Sequence, residues 1–298
     1  PSPLSPIFRP PGTLLIQPAE PQYLVEVLTK NASWLKYDAR IKGWKNIDCP
    51  PVIAQTYLAR KCWQMPHLTG VIEAPTLRPD GSILEKPGYD PSTGMYFDPG
   101  TTRFPPIPES PSLAEAQGLL SYLESFLLGF PFVSHIDQSV ILSAILTVLI
   151  RRSLKSAPLH GFTAPTAGTG KSLLADVVSL IACGRPTISM SQADNPEEEK
   201  KRLLAILSEG YPIIVIDNIS QEFSSDALCT ILTQSTWTER LLGVNESRTV
   251  PTSSFFMATG NNLRFKGDLS TRVVLCHLDA GVDRPEERKF SVNLYNFI

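Results

Sequence analysis

The sequence predicts an α/β fold for residues 111–298, with helices on both faces of a mainly parallel five-stranded sheet. Helical stretches alternate with short apolar segments in this region, and a glycine-rich loop joins one such segment to a helix. Proline marks a boundary, since 18 of the 27 prolines lie in residues 1–110. We therefore expect a small proline-rich α+β domain at 1–110, followed by the α/β core at 111–298.

Composition excludes several classes of protein. The chain has 298 residues, 42% hydrophobic and 19% charged, which favours a packed core over disorder. A net charge of −2 excludes a strongly basic binder but leaves room for a local basic surface. The five cysteines and four histidines are scattered, so we expect no zinc site or disulfide framework and a reducing, cytoplasmic location.

The sequence predicts neither a membrane span nor a secretory leader. The longest apolar run, residues 140–150, is too short to span a bilayer, and no secretory leader opens the chain, so no membrane partner is expected. The chain begins at Pro1 and not at methionine. We interpret it as a processed chain or as a fragment of a longer protein.

The first region predicts a helix-plus-hairpin module after a proline-rich arm. Residues 1–21 hold too many prolines for a helix or a central strand. Residues 51–63 indicate a short helix with proline in its first turn. Residues 68–77 and 82–86 indicate strands on either side of a Pro-Asp-Gly turn.

The core begins with two predicted helices within 112–154. Ser112 and Glu115 form a capping box, which predicts a helix to about residue 128. Asp137 is the expected N-cap of a second helix, to about residue 154. The predicted sheet occupies 158–280, and its strand candidates lie near 159–164, 186–190, 212–217, 254–259 and 272–278.

The glycine-rich loop predicts a phosphate site. It follows an apolar strand and opens a helix, which is the context that a phosphate loop requires. Lys171 would contact the β- and γ-phosphates of ATP, and the Ser172 hydroxyl would hold Mg²⁺. The alternative is a Gly/Thr-rich turn that happens to precede Lys-Ser. The expected nucleotide-binding residues are Thr166, Ala167, Gly168, Thr169, Gly170, Lys171 and Ser172.

An acidic residue ends a second apolar strand. Asp217 follows Ile213-Ile214-Val215-Ile216 and is the expected Mg²⁺ carboxylate, although a turn aspartate after a core strand is the alternative. Asn218 comes next, where a glutamate often orients the attacking water. Asparagine positions water but is not a comparable base, and Glu222 is a nearby substitute.

Two later motifs complete the candidate catalytic set. Asn261, or Asn262 in the alternative register, follows the apolar strand at 255–259 and is placed to bond the γ-phosphate or the lytic water. An Asn-rich turn is the alternative. Arg272 precedes the last strand. It is interpreted either as an arginine finger for a neighbouring subunit or as an ordinary surface residue.

The ordered set APTAGTGKS, IIVIDN, FFMATGNN and GDLSTR resembles AAA+ ATPases. It is similar in particular to the superfamily-three-like helicase modules of phage, plasmid and integrated-element replication proteins. The resemblance implies a sheet ordered 5-1-4-3-2 and a homo-oligomeric ring, commonly a hexamer. It makes Lys171 and Ser172 the Walker A pair, Asp217 the Walker B acid, Asn261 the sensor and Arg272 the trans finger. Pro165 and Asn218 depart from the family pattern.

The resemblance also implies a pore hairpin before the sensor strand. Arg240 and Arg248 are its basic candidates for contact with DNA, although its tip, Asn245-Glu246-Ser247, carries no lysine. A solvated hairpin with structural arginines is the alternative.

Aromatic and basic residues interleave in the first region. Trp34, Trp44, Tyr57 and Trp63 alternate with lysines and arginines between residues 34 and 63. They form either a stacking surface for single-stranded DNA or, as the preferred interpretation, the core of the small domain.

The leading functional hypothesis is a ring-forming, ATP-dependent helicase or translocase that acts on single-stranded or forked DNA in replication of a mobile element. The alternative is an ATP-binding assembly or regulatory module with little turnover, which Asn218 favours. A small-molecule kinase is a third and weaker interpretation, because an arginine-rich lid is missing. A primase segment or partner and a C-terminal part are expected outside this chain.

Overall fold

The computed structural model describes residues 7–8, 14, 16–108, 110–186, 188–240, 247–288 and 294. The chain divides into two compact units. One is Ile16–His67, and the other combines Pro1–Leu15 with Leu68–Ile298. The division of the sequence at residue 110 stays a prediction.

Helices and strands alternate through most of the described chain. The α-helices there are α1 (Pro21–Asn31), α2 (Pro51–Ala59), α3 (Leu113–Ser125), α4 (His135–Ile150), α5 (Lys171–Cys183), α6 (Pro196–Ser208) and α7 (Asp226–Ile231). Short 3-10 helices lie at Arg151–Ser153, Gly267–Arg272 and Pro285–Glu287. In the part of the chain that the structure describes, no helix has the length and apolar character needed to cross a membrane.

The strands form one large sheet and several small ones. They are β1 (Ile7–Phe8), β2 (Trp34–Asp38), β3 (Gly43–Ile47), β4 (Gly70–Ile72), β5 (Thr76–Leu77), β6 (Ile83–Leu84), β7 (Gly88–Asp90), β8 (Met95–Phe97), β9 (Leu159–Ala164), β10 (Ile188–Ser191), β11 (Ile213–Ile219), β12 (Thr236–Arg240), β13 (Ser247–Pro251), β14 (Phe255–Asn261) and β15 (Val273–His277).

The large sheet has the order β1-β10-β11-β14-β9-β15. Strands β10, β11, β14, β9 and β15 are mutually parallel, and β1 adds an antiparallel edge. Numbered along the chain, the five parallel strands follow the order 5-1-4-3-2, which confirms the expected arrangement. The edge position of β1 agrees with its proline-rich surroundings, because proline is tolerated at a sheet edge.

Helices cover both faces of this sheet, as predicted. Ile213 and Val215 of β11 pack in a core with residues of α4 and α5. Ile214 and Ile216 pack in a second core with residues of α6 and α7. Successive side chains of a strand point to opposite faces, so the continuous apolar run of β11 serves both cores.

The helix starts follow local capping chemistry. The capping box at α3 is present as predicted, with Ser112 and Glu115 bonding each other's backbone N–H. The predicted N-cap of α4 was wrong. Ser134 caps this helix, and Asp137 lies one turn inside it, where its carboxylate accepts hydrogen bonds from the Ser134 hydroxyl at 2.6 Å and the His277 N–H at 2.7 Å.

Residues 68–97 form a small β module in the larger unit. Strands β4, β8 and β7 make a three-stranded sheet, and β5 and β6 pair across the predicted Pro-Asp-Gly turn. Arg78, which follows β5, forms an ion pair with Asp90 at the end of β7 at 3.1 Å, and this pair links the two small sheets. An ion pair between Glu73 and Arg185 links the module to the segment after α5, two residues beyond Cys183.

The Ile16–His67 unit contains α1, the β2–β3 hairpin and α2. Helix α2 ends at Ala59 and not at residue 63; Lys61 has a φ of 50°, which no α-helix contains. Cys49 and Ala54 are the buried residues of this unit. The preferred interpretation of its aromatic residues as a core was therefore wrong for Trp44, which is 68% exposed.

Candidate functional site

The glycine loop, residues 165–170, lies at the carboxyl edge of the sheet. Strand β9 leads into it and is buried along its whole length, and α5 begins directly after it at Lys171. The burial of β9 follows from its central position between β14 and β15. The loop is thus fixed at both ends by the core of the protein.

Two glycines give the loop its shape. Gly168 has a φ of 71° and Gly170 a φ of 105°, conformations that side-chain-bearing residues rarely adopt. Gly170 is also the N-cap of α5 and offers no side chain to satisfy the first N–H groups of the helix. These N–H groups and the positive end of the helix dipole are suited to hold an anion.

The side chains of the loop are folded onto its own backbone. Thr169 is fully buried, and its hydroxyl donates to the Thr166 carbonyl at 2.9 Å. The Lys171 ammonium donates to the same carbonyl at 2.9 Å. Burial lowers the pKa of Lys171, and the charge of Asp217 opposes that effect. Lys171 therefore lies against the loop, with an acidic side chain within electrostatic range.

A polar cluster of Ser172, Asp217 and Thr259 adjoins the loop. The Ser172 hydroxyl donates to Oδ1 of Asp217 at 3.2 Å, and the Thr259 hydroxyl donates to the same oxygen. Thr259 is buried and also accepts the Asn218 N–H at 3.1 Å. The sequence analysis did not identify Thr259 as a site residue. The expected strand order places β14 beside β11, and this was the signal that could have put Thr259 next to Asp217.

The polar cluster fits Mg²⁺ chemistry. The described residues contain no group of three or more His, Cys, Asp or Glu that would hold a metal. Mg²⁺ is usually held by one or two protein oxygens, water and substrate phosphates, so it does not need such a group. Asp217 and Ser172 supply a carboxylate and a hydroxyl beside the anion-binding loop, which is a suitable set.

Strand β11 is irregular just beyond Asp217. Its pairing with β14 shifts between Ile216 and Ile219, and Asn218 has a φ of 58°. A Cβ atom on Gly260 would lie 2.4 Å from the Ile219 carbonyl oxygen, so the close approach of the strands there requires glycine. The bulge leaves the Asn218 side chain exposed. Glu222, the substitute base, is paired with Lys266 at 3.7 Å.

The two candidate sensor asparagines occupy different positions. Asn261 ends β14 with its side chain exposed, and its backbone lies beside Ala164 of β9. Asn262 bonds the Ala164 carbonyl through its N–H at 3.0 Å, and its side-chain amide reaches the Pro165 carbonyl at 3.5 Å. In this structure Asn262 is the one that touches the glycine loop.

A C-terminal segment, residues 284–288, lies on the glycine loop. The Arg288 guanidinium donates to the Thr169 carbonyl at 3.0 Å, and Pro285 is buried. Glu286 lies beside Gly168, where a Cβ atom would be 2.9 Å from its Oε2 and 3.2 Å from its backbone nitrogen. These contacts were not predicted, since more than 110 residues separate the two segments in sequence.

A cavity of about 280 Å³ opens beside the loop. Its lining includes Val133, Thr163, Pro165, Asn262, Leu278 and Asp279. The ends of β9 and β15 and the approach to α4 meet there. The mixed apolar and polar lining can accept a flat ring with polar edges.

Arg272 lies at the amino end of the parallel strands, opposite the end that carries the glycine loop. It directly precedes β15, whose first residue Val273 pairs with Leu159 at the start of β9. The glycine loop follows the last residue of β9, about 17 Å away at ~3.3 Å per residue. Arg272 is paired with Asp268, and this hydrogen bond raises its pKa. The structure therefore does not bring Arg272 to the glycine loop of its own chain.

Strands β12 and β13 form the hairpin that was expected before β14. Arg248 is exposed and lies directly across from Glu239, and Arg240 lies across from Ser247. Lys200 of α6 is 3.9 Å from Glu239, which ties the hairpin to the core. Residues Asn245 and Glu246 of the expected tip lie outside the described residues.

Fold and site together define an α/β protein with a glycine loop and a polar cluster at the carboxyl edge of a parallel sheet. Neither a protein-family model nor a curated protein matches the sequence. Among solved structures, the chain is similar to an apo structure of the NrS-1 C-terminal region, with 12% identity and a TM-score of 0.41. That alignment covers 94% of this chain and 66% of the other.

A second apo structure of the NrS-1 C-terminal region matches with 13% identity and a TM-score of 0.36, over 93% of this chain and 66% of the other. The chain thus spans just under two thirds of the length of each of these structures. Likeness at this level assigns neither a family nor an activity.

Proposed function

We propose that the chain is an ATP-hydrolysing module of the AAA+ class that assembles into a ring and moves on DNA. The observation that carries the proposal is the polar cluster beside the glycine loop. Ser172 directly follows Lys171, and its hydroxyl meets Asp217 at 3.2 Å although the two are 45 residues apart. An anion cradle, a lysine and a Mg²⁺-type oxygen pair at one sheet edge form the set that nucleotide hydrolysis needs.

Each group of residues at this site would have a separate role in nucleotide binding. The loop N–H groups and Lys171 would hold the phosphates, for which Lys171 has to leave the Thr166 carbonyl. Ser172 and Asp217 would hold Mg²⁺, which supplies charge neutralisation at the transferred phosphate. Thr259 keeps Asp217 oriented by donating to one of its oxygens, leaving the other free for metal-bound water. The cavity at Asn262 and Asp279 would accept the base.

Three further roles are proposed, one each for Asn218, the sensor asparagine and Arg272. The exposed Asn218 at the β11 bulge would position water, with Asn261 or Asn262 reading the γ-phosphate. Arg272 directly precedes β15, at the end of the sheet opposite the loop, so it is suited to a neighbouring copy's nucleotide and not its own. A site completed by a second copy requires a ring or a filament.

DNA contact is assigned to the β12–β13 hairpin. Arg248 and Arg240 are exposed and lie in the last two described pairs of the hairpin, and arginines are suited to phosphate groups. Coupling between sites would pass along β14, because the hairpin leads directly into this strand, which ends at the sensor asparagines.

ATP turnover by the purified chain, with and without single-stranded DNA, tests the proposal. We expect turnover that DNA stimulates, and its loss in Lys171→Ala and Asp217→Asn. Lys155→Ala is the matched control, since Lys155 is an exposed lysine outside the site. Normal turnover in both site variants would refute the assignment.

The second candidate is an ATP-binding assembly module with little turnover. Asn218 in place of a stronger base and the Glu286 carboxylate beside Gly168 favour it. Tight MgATP binding with a nucleotide-dependent change in sedimentation, but no phosphate release with or without DNA, would select this candidate over the motor.

A further inference from the structure

The β2–β3 hairpin presents an aromatic pair to solvent. Tyr37 and Trp44 lie directly opposite each other across the hairpin and pack edge to face, with ring centroids 5.6 Å apart. Their residues are 52% and 68% exposed. Leu35 on the same face and Ile41 in the turn are 54% and 65% exposed. A face with this much exposed apolar area indicates a binding surface.

The unit that carries this hairpin is basic, in contrast to the whole chain. Ile16–His67 contains seven lysines and arginines and four acidic residues, a net charge of +3, while the chain has −2. Four of the basic residues are in the hairpin and its turn, namely Lys36, Arg40, Lys42 and Lys45. Arg40 and Lys42 lie in the turn next to the aromatic pair, while Lys36 and Lys45 alternate with the rings along the strands and lie on the opposite face of the hairpin.

The face of the hairpin opposite the rings carries a pair of lysines. Lys36 lies directly opposite Lys45 across the hairpin, and like charges in this position destabilise a strand pair. Among the described residues, neither lysine is within ion-pair distance of an acidic group. Asp38 is the acidic residue of the hairpin, and its carboxylate accepts the Arg40 N–H at 2.8 Å within the turn.

We propose that the β2–β3 hairpin binds single-stranded nucleic acid, with bases stacked on Tyr37 and Trp44 and phosphates near Arg40 and Lys42 of the turn. Unpaired bases offer flat faces to exposed rings, and the phosphates between them match the excess of positive charge. This surface lies outside the proposed ATP site, and its binding requires no nucleotide.

Fluorescence anisotropy of labelled dT20 and rU20, with the full chain and without nucleotide, tests the proposal. We expect binding of at least one probe, weakened about fivefold or more by Trp44→Ala and by Tyr37→Ala, since stacking on one ring contributes roughly that much. Trp44→Phe keeps a stacking ring and should remain within about threefold. Tyr23→Ala, an equally exposed aromatic residue on α1, is the matched control and should leave binding unchanged.

The salt dependence of the nucleic-acid affinity provides an independent test of the proposal. Replacing Arg40 and Lys42 together with glutamine should lower the slope of log affinity against log salt by about 1.4, or ~0.7 for each lost phosphate contact. Equal affinities of Trp44→Ala and the unmodified chain for both probes would overturn the proposal. A changed sedimentation coefficient of Trp44→Ala with unchanged affinity would identify the surface as a contact between copies instead. Nucleotide-free binding separates these outcomes from failure of the ATPase.

Discussion

Glu286 and Gly168 lie so close that a Cβ atom on Gly168 would be 2.9 Å from Oε2 of Glu286. The carboxylate thus stands beside the loop that is proposed to hold phosphates. Glu286→Gln removes one negative charge there, and we expect MgATP to bind about three- to tenfold more tightly. Titration calorimetry at low and high salt measures the effect, which should shrink as salt increases.

Glu287→Gln is the control for this prediction. Glu287 is a neighbouring exposed glutamate that is paired with Arg284 at 2.9 Å and does not touch Gly168. Its effect on MgATP affinity should be smaller than that of Glu286→Gln. An equal gain in both variants would mean that general charge, and not the contact with Gly168, controls affinity.

Thr259→Val should loosen the polar cluster. The change removes the hydroxyl that donates to Asp217 and accepts the Asn218 N–H, and leaves that half-buried N–H unsatisfied. We expect the free energy of unfolding to fall by about 1–3 kcal/mol and the Mg²⁺ dependence of ATP binding to weaken. Urea denaturation measures the first effect. Thr259→Ser retains the hydroxyl and should preserve most of both properties.

Mixing two inactive variants tests the position of Arg272. Lys171→Ala lacks the proposed phosphate contact and Arg272→Ala lacks the proposed finger, so neither should turn over ATP alone. In a mixed ring, a Lys171→Ala copy can supply Arg272 to the intact loop of an Arg272→Ala neighbour. We expect partial recovery of turnover on mixing, with a maximum at intermediate ratios. No recovery, in rings shown to be mixed, would place both residues in one chain's site.

His160 should make the stability of the fold depend on pH. Burial in β9 lowers the pKa of His160 to about 4, below its ordinary value of 6.5. The neutral ring therefore contributes about 3 kcal/mol of stability that is present above pH 6.5 and lost as the pH falls toward 4. Burial raises the pKa of Glu199 to about 6, an effect of opposite sign, so the comparison has to be made between variants.

The measurement is the free energy of unfolding of the unmodified chain and of His160→Leu between pH 4 and 7. The difference between the two curves should change by about 3 kcal/mol in this interval. Parallel curves would show that His160 does not titrate differently in the folded and unfolded states.

Local sequence signals predicted the elements that local chemistry determines. Helix α5 spans the 13 residues that its apolar pattern indicated, and Asn195 caps α6 by accepting the Glu198 N–H at 2.9 Å. At α4 the sequence analysis chose Asp137 as the N-cap, but Ser134, three residues earlier, holds that position. Asp137 has a different partner, the His277 N–H, 140 residues away.

The rest of the candidate site depends on distant pairings. Thr259 meets Asp217 only because β11 and β14 are neighbours in a fixed register, and Glu286 meets Gly168 only because the chain returns across the loop. The exposure of Trp44 was mispredicted for a second reason. Aromatic residues are usually buried, but a unit of 52 residues with two buried side chains has no interior to hold this one.

The double burial of β11 and β14 has a consequence for motion. Amide protons of strands packed on both faces exchange with solvent only when the whole domain opens, so Ile214 and Met257 should be among the slowest to exchange. Asp217 and Thr259 are anchored at the ends of these strands and are held by the most rigid part of the chain. Any displacement linked to nucleotide must therefore occur at the β11 bulge around Asn218 or beyond the strand ends, at Asn262 and residues 284–288.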